Sequence, residues 1–248
     1  MERATRAFLV AGGAAAAAGL AGLVAAPWYY QPRPLTRAMQ RTWPDIVFEV
    51  DTDEPAIALT FDDGPHPPYT EAVLDTLARY GARATFFVMG EQVERNPGLF
   101  RRMVDEGHEV ANHFYDGRAT LLLTNEAILR SLERTERILG DQNPSRLVRP
   151  ASGVARVTTR EMLRERGYTL VIGSAYTSDC TKPPRAYMRW AFRQMLEPGR
   201  ILILHDGRKE RSRTVDVLPD VLEGALEAGL RPMTVSSLLA LGRPQSAA

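Results

Sequence analysis

Two adjacent aspartates, Asp62 and Asp63, follow an apolar segment and precede a tight turn. The segment, 56–61, is rich in residues that favour strands, and Gly64-Pro65 marks the turn. Successive side chains of a strand point to opposite sides. One carboxylate can therefore bind a cation while its neighbour holds or deprotonates a water molecule. A plain Asp-Gly turn that caps a helix is the alternative interpretation.

Four later apolar segments also end in polar side chains that are able to do chemistry. These side chains are Asn112-His113, Arg149, Asp179 and His205-Asp206. A further strand is predicted at 84–89, and helical patterns lie at 69–80, 92–106, 124–139, 158–166, 186–195 and 215–228. Strands that alternate with helices predict parallel βα units, and in a closed barrel the active site forms at the carboxyl ends of the strands. We therefore expect five strand ends to supply one pocket.

The motifs resemble those of the polysaccharide deacetylases with a NodB-homology domain, also called carbohydrate esterase family four. The family's T-F-D-D-G-P motif is matched letter for letter at 60–65, its R-P-x-x-G motif at 149–153, and its L-x-H motif at 203–205, with Ile203 in place of leucine. The resemblance spans about residues 56–241. It implies an α/β fold, a distorted (β/α) barrel of the polysaccharide deacetylase type.

The resemblance also implies a role for each matching residue. Asp62 corresponds to the general base and Asp63 to a metal ligand. Arg149 corresponds to the arginine that orients the base, and His205 to the general acid. Asp179 matches the second acid of the family's D-x-x-D-W motif, which tunes the catalytic groups. The implied reaction is metal-dependent removal of N-acetyl groups from amino-sugar residues of a cell-envelope or extracellular polysaccharide.

The metal-ligand motif departs from the family. The usual motif is H-S/T-x-x-H, but here His113 is followed four positions later by Gly117. Asp116 lies close by, and a carboxylate is an acceptable ligand for Zn²⁺ and a better one for Mn²⁺ or Mg²⁺. We hypothesise a divalent metal ion (Zn, or Mn, Mg or Co) held by Asp63, His113 and Asp116. A plain turn at Asp116-Gly117 is the alternative.

Two other histidines flank the motifs and are rival ligands. His66 lies in the turn after the paired aspartates. His108 faces away from His113 by strand alternation, which predicts a structural role for it.

The D-x-x-D-W motif is also altered, since Tyr176 and Cys180 replace the family's first Asp and its Trp. The wall that faces the substrate must therefore be shaped differently. A lone cysteine without a dedicated base is predicted to be a small apolar filler rather than a nucleophile.

Composition predicts one domain of this type. The chain has 248 residues, 44% of them hydrophobic, and a formal net charge of +1. This length suits a single α/β barrel, and the charge gives no reason to expect nucleic acid as a partner. The charged run 208–213 is predicted to be a solvated loop, although its place just after His205 would let it rim the pocket. The single cysteine allows no disulfide within the chain.

The N-terminus predicts a hydrophobic helix. After Arg3 and Arg6 comes an uncharged stretch, 7–26, about the ~20 residues that a membrane-spanning helix needs. Aromatic residues follow at 28–30, where an interfacial belt would lie. Arginines before the stretch stay in the cytoplasm, so the catalytic domain would face outward.

Cleavage of a secretory signal peptide is the alternative to this signal anchor, because Val24-Ala25-Ala26 resembles a cleavage site. The protein would then be secreted. The predicted organisation is an anchor or signal peptide at 1–30, a tether at 31–50 and the catalytic domain at 51–248.

The expected partners are an N-acetylated polysaccharide or oligosaccharide and, through the N-terminal helix, a membrane. A backbone N–H after Asp63 or near Tyr115 is predicted to stabilise the oxyanion. Two alternative functions remain: a sugar O-acetyl esterase or deformylase on the same scaffold, and a non-catalytic glycan-binding pseudoenzyme.

Overall fold

The computed structural model describes residues 30–208 and 210–243. In that part of the chain nine strands form one sheet: β1 (Ile46–Val47), β2 (Ala56–Asp62), β3 (Thr85–Val88), β4 (Glu109–Asn112), β5 (Leu147–Val148), β6 (Thr169–Val171), β7 (Ala175–Tyr176), β8 (Ile201–His205) and β9 (Arg231–Met233). The α-helices are α1 (Arg33–Thr42), α2 (Tyr69–Arg79), α3 (Gly90–Arg95), α4 (Pro97–Asp105), α5 (Asn125–Leu139), α6 (Val157–Glu165), α7 (Arg185–Met195), α8 (Ser212–Glu227) and α9 (Val235–Leu239).

All ladders of this sheet are parallel. The strand order is β1-β6-β5-β4-β3-β2-β8-β7, and β9 pairs with the start of β2. Parallel neighbours require crossover connections, which the intervening helices provide. Within the described residues β1 and β7 do not pair with each other, so the sheet is a curled half-barrel. The predicted α/β fold is confirmed at this level.

Strand β2 is an interior strand of the sheet, between β3 and β8, and all seven of its residues are buried. Ile57, Leu59 and Phe61 share one face and pack with the inward faces of α2, α7 and α8. Ala56 and Ala58 share the other face and belong to a second cluster. This alternation follows from the two-residue period of a strand. The apolar packing on both faces fixes the direction in which β2 delivers Asp62.

The segment 31–50 is packed structure, so the prediction of a tether there was wrong. It contains α1 and β1, and β1 pairs with β6. The side chain of Arg200, only 1% exposed, donates to Thr36 Oγ1 at 2.8 Å and pairs with Glu49 Oε2 at 3.4 Å. Arg200 is distant in sequence, so the local pattern of 31–50 held no sign of this anchor.

The single helix predicted at 92–106 is two helices, α3 and α4. They meet at Asn96, whose φ of −132° and ψ of 55° are not helical. Pro97 disfavours the helical conformation at the residue before it and lacks an N–H to donate. The proline therefore divides the predicted helix into two.

The hydrophobic helix predicted within 1–30 lies outside the described residues except for Tyr30. Among the helices of the described part, none has the length and apolar character to span a bilayer.

Candidate active site

Parallel register brings the predicted site residues to one edge of the sheet. Asp62 and His205 are direct register partners on β2 and β8. The N–H of His113 donates to Val88 O at 2.9 Å, and the N–H of Arg149 donates to Asn112 O at 3.0 Å. The carboxyl ends of β2, β4, β5 and β8 therefore meet at one site.

Asp62 is held by a buried arginine. Arg149 Nη1 donates to Asp62 Oδ1 at 2.6 Å and to Thr60 Oγ1 at 2.7 Å. Its Nε donates to Val171 O at 3.1 Å, and its guanidinium lies 4.0 Å from the ring centre of Phe87. Burial lowers the pKa of Arg149, while the negative charge of Asp62 opposes that shift. The carboxylate is thus fixed in direction and its charge is compensated.

His205 is paired with Asp179, which follows β7. His205 Nδ1 lies 2.7 Å from Asp179 Oδ1, and its backbone N–H donates to Oδ2 at 2.8 Å. Thr214 Oγ1 donates to the same Oδ2 at 2.8 Å. Burial by itself would lower the pKa of His205, but the charge and hydrogen bond of Asp179 outweigh it and raise that pKa to about 10. The imidazole is therefore a protonated acid at neutral pH.

Asp63 and His113 face each other across the site. Asp63 has a positive φ of 74°, an uncommon conformation for a residue with a side chain. His113 Nδ1 lies 2.8 Å from Arg149 O, and since a carbonyl only accepts, Nδ1 carries the proton. Burial lowers the pKa of His113. Its Nε2 lone pair is left 3.6 Å from Asp63 Oδ1. The pair has the chemistry of two metal ligands.

A buried arginine that the sequence interpretation missed contacts Asp63. Arg211 Nη2 donates to Asp63 Oδ2 at 3.2 Å, and its Nε donates to Gly207 O at 3.0 Å. Arg211 is 4% exposed, so the prediction of a solvated loop at 208–213 was wrong for this residue. Its position six residues after His205, at the start of α8, was the available signal.

The third predicted ligand, Asp116, is not brought to this pair by any contact in the described structure. Its carboxylate oxygens each accept from Arg118 Nε at 2.9 Å, and Oδ1 also accepts the Arg118 N–H at 3.1 Å. At Gly117 a Cβ would overlap the guanidinium of Arg208. The end of the exposed Arg208 side chain therefore lies where a side chain at 117 would extend, and it would have to move to admit one.

The described residues do not fit a three-ligand metal site. No group of three or more His, Cys, Asp or Glu side chains among them is arranged to hold a metal ion. Asp63 and His113 offer two ligands, and the positions that would add a third are occupied by an ion pair and by Arg208.

Asp206 was expected at a strand end, but the sequence interpretation gave it no role. Its side chain is fully buried, Oδ2 accepts from Thr70 Oγ1 at 2.6 Å, and burial raises its pKa to about 7. A Cβ at Gly64 would overlap its carboxyl group. Glycine in the T-F-D-D-G-P motif thus makes room for Asp206.

The two altered positions of the D-x-x-D-W motif are Tyr176 and Cys180. The two side chains contact each other, with Tyr176 Oη 2.8 Å from Cys180 Sγ. The Tyr176 ring lies 5.9 Å from the ring of His205. Tyr176 therefore lies beside the acid.

An oxyanion donor was predicted after Asp63 or near Tyr115, and the N–H of Tyr115 itself is not free. That N–H donates to Ser131 Oγ at 2.8 Å. The Tyr115 N–H already has a hydrogen-bond partner because α5 packs Ser131 against this loop.

The two remaining histidines lie apart from the Asp63–His113 pair. His108 is buried against Phe86, with ring centres 5.3 Å apart, and its Nδ1 accepts from the Ala84 N–H at 3.3 Å. His66 stacks on Tyr69 and lines a polar cavity of about 360 Å³. The other lining residues are Pro67, Glu91, Gln92, Arg95, Asn96 and Arg208. Through Arg208 the cavity adjoins the His113 loop.

Comparisons with known proteins show which family the sequence and the fold belong to. A family model described as polysaccharide deacetylase matches residues 49–171. A peptidoglycan-N-acetylglucosamine deacetylase of Bacillus cereus is 35% identical over 200 residues, covering 78% of this chain and 92% of the relative. A chitooligosaccharide deacetylase of Rhizobium leguminosarum bv. trifolii is 35% identical over 197 residues, covering 78% of this chain and 86% of the relative.

A solved peptidoglycan N-acetylglucosamine deacetylase superposes with a TM-score of 0.75 at 25% identity. The match covers 82% of this chain and 98% of that structure. Sequence and fold thus agree in placing the chain in one family. The chain belongs to the polysaccharide deacetylase family, hydrolases that act on the amide C–N bond of N-acetylated sugars.

Proposed function

We propose that this protein removes N-acetyl groups from amino-sugar residues of a cell-envelope or extracellular polysaccharide. The observation that carries the proposal is the register pairing of Asp62 with His205. A carboxylate and an imidazolium stand side by side, and each has its own buried partner, Arg149 or Asp179. Groups whose environments favour opposite protonation states are suited to act as base and acid.

The side chains account for the proton transfers of amide hydrolysis. Asp62 accepts a proton from a water molecule as that water attacks the acetyl carbonyl carbon. The C–N bond then breaks, and His205 donates its proton to the departing amine. The products are a free amine on the sugar and acetate. Arg149 and Asp179 act as positioning residues, since each contacts a catalytic group.

The substrate class is inferred from relatives and from the surface beside the site. The similar proteins named above are deacetylases of peptidoglycan and of chitooligosaccharides. The adjoining cavity is lined by imidazole, carboxylate, amide and guanidinium groups. Such groups match a hydroxyl-rich sugar chain rather than an apolar ligand.

Deacetylases of this family are in general metal-dependent. Among the described residues only Asp63 and His113 come together as possible metal ligands, so no step of the proposed reaction is assigned to a metal ion.

Acetate release by the full chain tests the proposed function. N-acetylglucosamine oligomers and peptidoglycan are the substrates, with O-acetylated and N-formylated sugars assayed in parallel. We expect acetate from the N-acetyl substrates and none from Asp62→Asn. Turnover of only the O-acetylated or N-formylated sugars would show that the protein is an esterase or a deformylase instead.

Glycan binding without turnover is the second candidate function, and the incomplete ligand set at Gly117 favours it. Binding of the same oligomers by both the parent and Asp62→Asn, with no acetate from either, would support a pseudoenzyme.

We also propose that residues 1–30 anchor the protein in a membrane with the catalytic domain outside. The support is the uncharged stretch 7–26 after two arginines. Membrane fractionation and N-terminal sequencing test this, because a mature protein that starts near residue 27 would indicate a cleaved signal peptide and secretion.

A further inference from the structure

Asp63 already has a cation beside it. The guanidinium of Arg211 lies 3.2 Å from Asp63 Oδ2, and both side chains are largely buried, at 3% and 11% exposure. Arg211 Nη1 is also buried and has no hydrogen-bond partner in the described structure. A buried charge is stable only when it is paired, so Arg211 and Asp63 compensate each other.

A second guanidinium lies at the place of the missing ligand. Arg208 Nη1 donates to Gly117 O at 3.3 Å, and its head group occupies the volume that any side chain at 117 would need. Position 117 is four residues after His113, which is where the family's motif has its second histidine. Glycine at 117 and arginine at 208 are therefore complementary.

Arg211 and Arg208 disfavour the binding of a divalent ion at this site. A divalent cation between Asp63 and His113 would lie close to the charge of Arg211, in a buried region where like charges repel strongly. It would also lack the third protein ligand that catalytic zinc sites have.

We propose that Arg211 is the resident cation of this site, with Arg208 closing the third-ligand position, and that the protein does not retain a divalent metal tightly. In this arrangement Asp63 orients an arginine rather than an ion. The positive charge that faces the reacting groups comes from the chain itself.

Metal titration tests the proposal without using activity. The full chain is dialysed against chelator, loaded with Zn²⁺ or Co²⁺, and assayed for bound metal, for Co²⁺ absorption and for melting temperature. We expect the parent to keep less than about 0.1 equivalent and to show no metal-induced rise in melting temperature. One retained equivalent of either metal would overturn the proposal.

A gain-of-binding variant makes the test specific. The double variant Gly117→His/Arg208→Ala supplies the third ligand and removes the group that fills its place. We expect it to retain about one equivalent of Zn²⁺ and to melt several degrees higher with the metal. Arg208→Ala and Gly117→Ala are the matched controls, since neither adds a ligand, and both should stay metal-poor. A folded double variant that binds no more metal than the parent would contradict the role assigned to Arg208.

The pairing of Arg211 with Asp63 is tested by a double-mutant cycle on melting temperature in the presence of chelator. Arg211→Gln should lower the melting temperature, because it leaves Asp63 buried and unpaired. Asp63→Asn in the same chain should recover part of that loss. Strictly additive effects would show that the two charges are not coupled and would overturn the assignment. None of these measurements depends on acetate release, so failure of the proposed enzymatic function is distinguished from failure of this inference.

Discussion

His205 and Asp179 share two contacts, because the imidazole Nδ1 and the backbone N–H of His205 reach the two oxygens of one buried carboxylate, at 2.7 and 2.8 Å. A single side chain therefore both positions the strand end and keeps the imidazole protonated. His205 ends β8 and Asp179 lies in the turn after β7. These two strands are neighbours in the sheet.

Asp179→Asn should move the alkaline limit of activity. The pKa of His205 is raised to about 10, so the acid form persists at neutral pH and is lost only as the pH rises through about 10. Without the Asp179 charge and hydrogen bond, burial is opposed only by the charges of Asp62 and Asp63, so the pKa of His205 falls. The kcat/KM of the variant should therefore begin to decline at a lower pH than that of the parent.

Profiles of kcat/KM against pH measure this shift. Thr214→Val is the matched control, since it removes one hydrogen bond to Asp179 and leaves the charge in place. Thr214→Val should shift the alkaline limb of the kcat/KM profile far less than Asp179→Asn does. An unchanged limb in Asp179→Asn would show that His205 is not the acid.

Asp62→Asn should abolish most activity while the protein stays folded. The amide oxygen can still accept from Arg149, but the group no longer takes a proton from water. Loss of a general base costs on the order of 10²–10⁴-fold in rate. Steady-state kcat measures the loss of activity, and a thermal melt measures whether the variant stays folded. A parent-like kcat would show that Asp62 is not the general base.

Arg149→Met should lower both stability and activity. It leaves the buried Asp62 carboxylate, 4% exposed, without its charge partner. Breaking a buried ion pair from one side costs about 3–5 kcal/mol of unfolding free energy. Denaturant unfolding measures the loss, and Arg149→Met/Asp62→Asn should recover part of it because no lone charge remains.

His108 should make the fold sensitive to acid. Burial lowers its pKa to about 4, below the ordinary 6.5, so the unfolded chain takes up the proton first as the pH falls. Stability is present in full above pH 6.5 and declines as the pH falls through 4. His108→Asn keeps an acceptor for the Ala84 N–H but does not titrate, so its melting temperature should decline less between pH 6.5 and 4. Parallel declines in both proteins would assign the acid sensitivity to other groups.

Arg200→Met should release α1 from the sheet. Arg200 donates to Thr36 and pairs with Glu49, and both contacts are largely buried. We expect a loss of about 3 kcal/mol in unfolding free energy and faster amide exchange over 33–42. Arg37→Ala, at an arginine whose side chain is 51% exposed, is the control and should cost under about 1 kcal/mol. Protected α1 amides in Arg200→Met would show that apolar contacts alone hold this helix.

Sequence patterns identified the motif residues because their signals are local. The apolar run before Asp62, the proline and glycine after Arg149 and the strand before His205 each predict a strand end within a few residues. Alternation of strands and helices then predicts a parallel sheet, whose carboxyl ends lie on one side. The meeting of these strand ends follows from those signals, whereas the open half-barrel, in which β1 and β7 do not pair within the described residues, does not.

The partners of the site residues could not be predicted in the same way. Arg211 contacts Asp63 across 148 residues of chain, and Arg200 holds α1 across 164. Such contacts depend on how α8 and α1 pack on the sheet, which no short pattern records. A run of charges such as 208–213 also has no feature that separates the buried Arg211 from the exposed Arg208.

The sequence by itself determined the strand ends, because residue type and local periodicity encode them, and the family resemblance, which implies Asp62 as the base and His205 as the acid. Only the tertiary structure decided that Asp179 pairs with His205, that Asp116 pairs with Arg118, and that two arginines occupy the surroundings of Asp63 and Gly117. The physical reason is that charge compensation and space filling in a buried site are settled by side chains that come together only when distant elements pack.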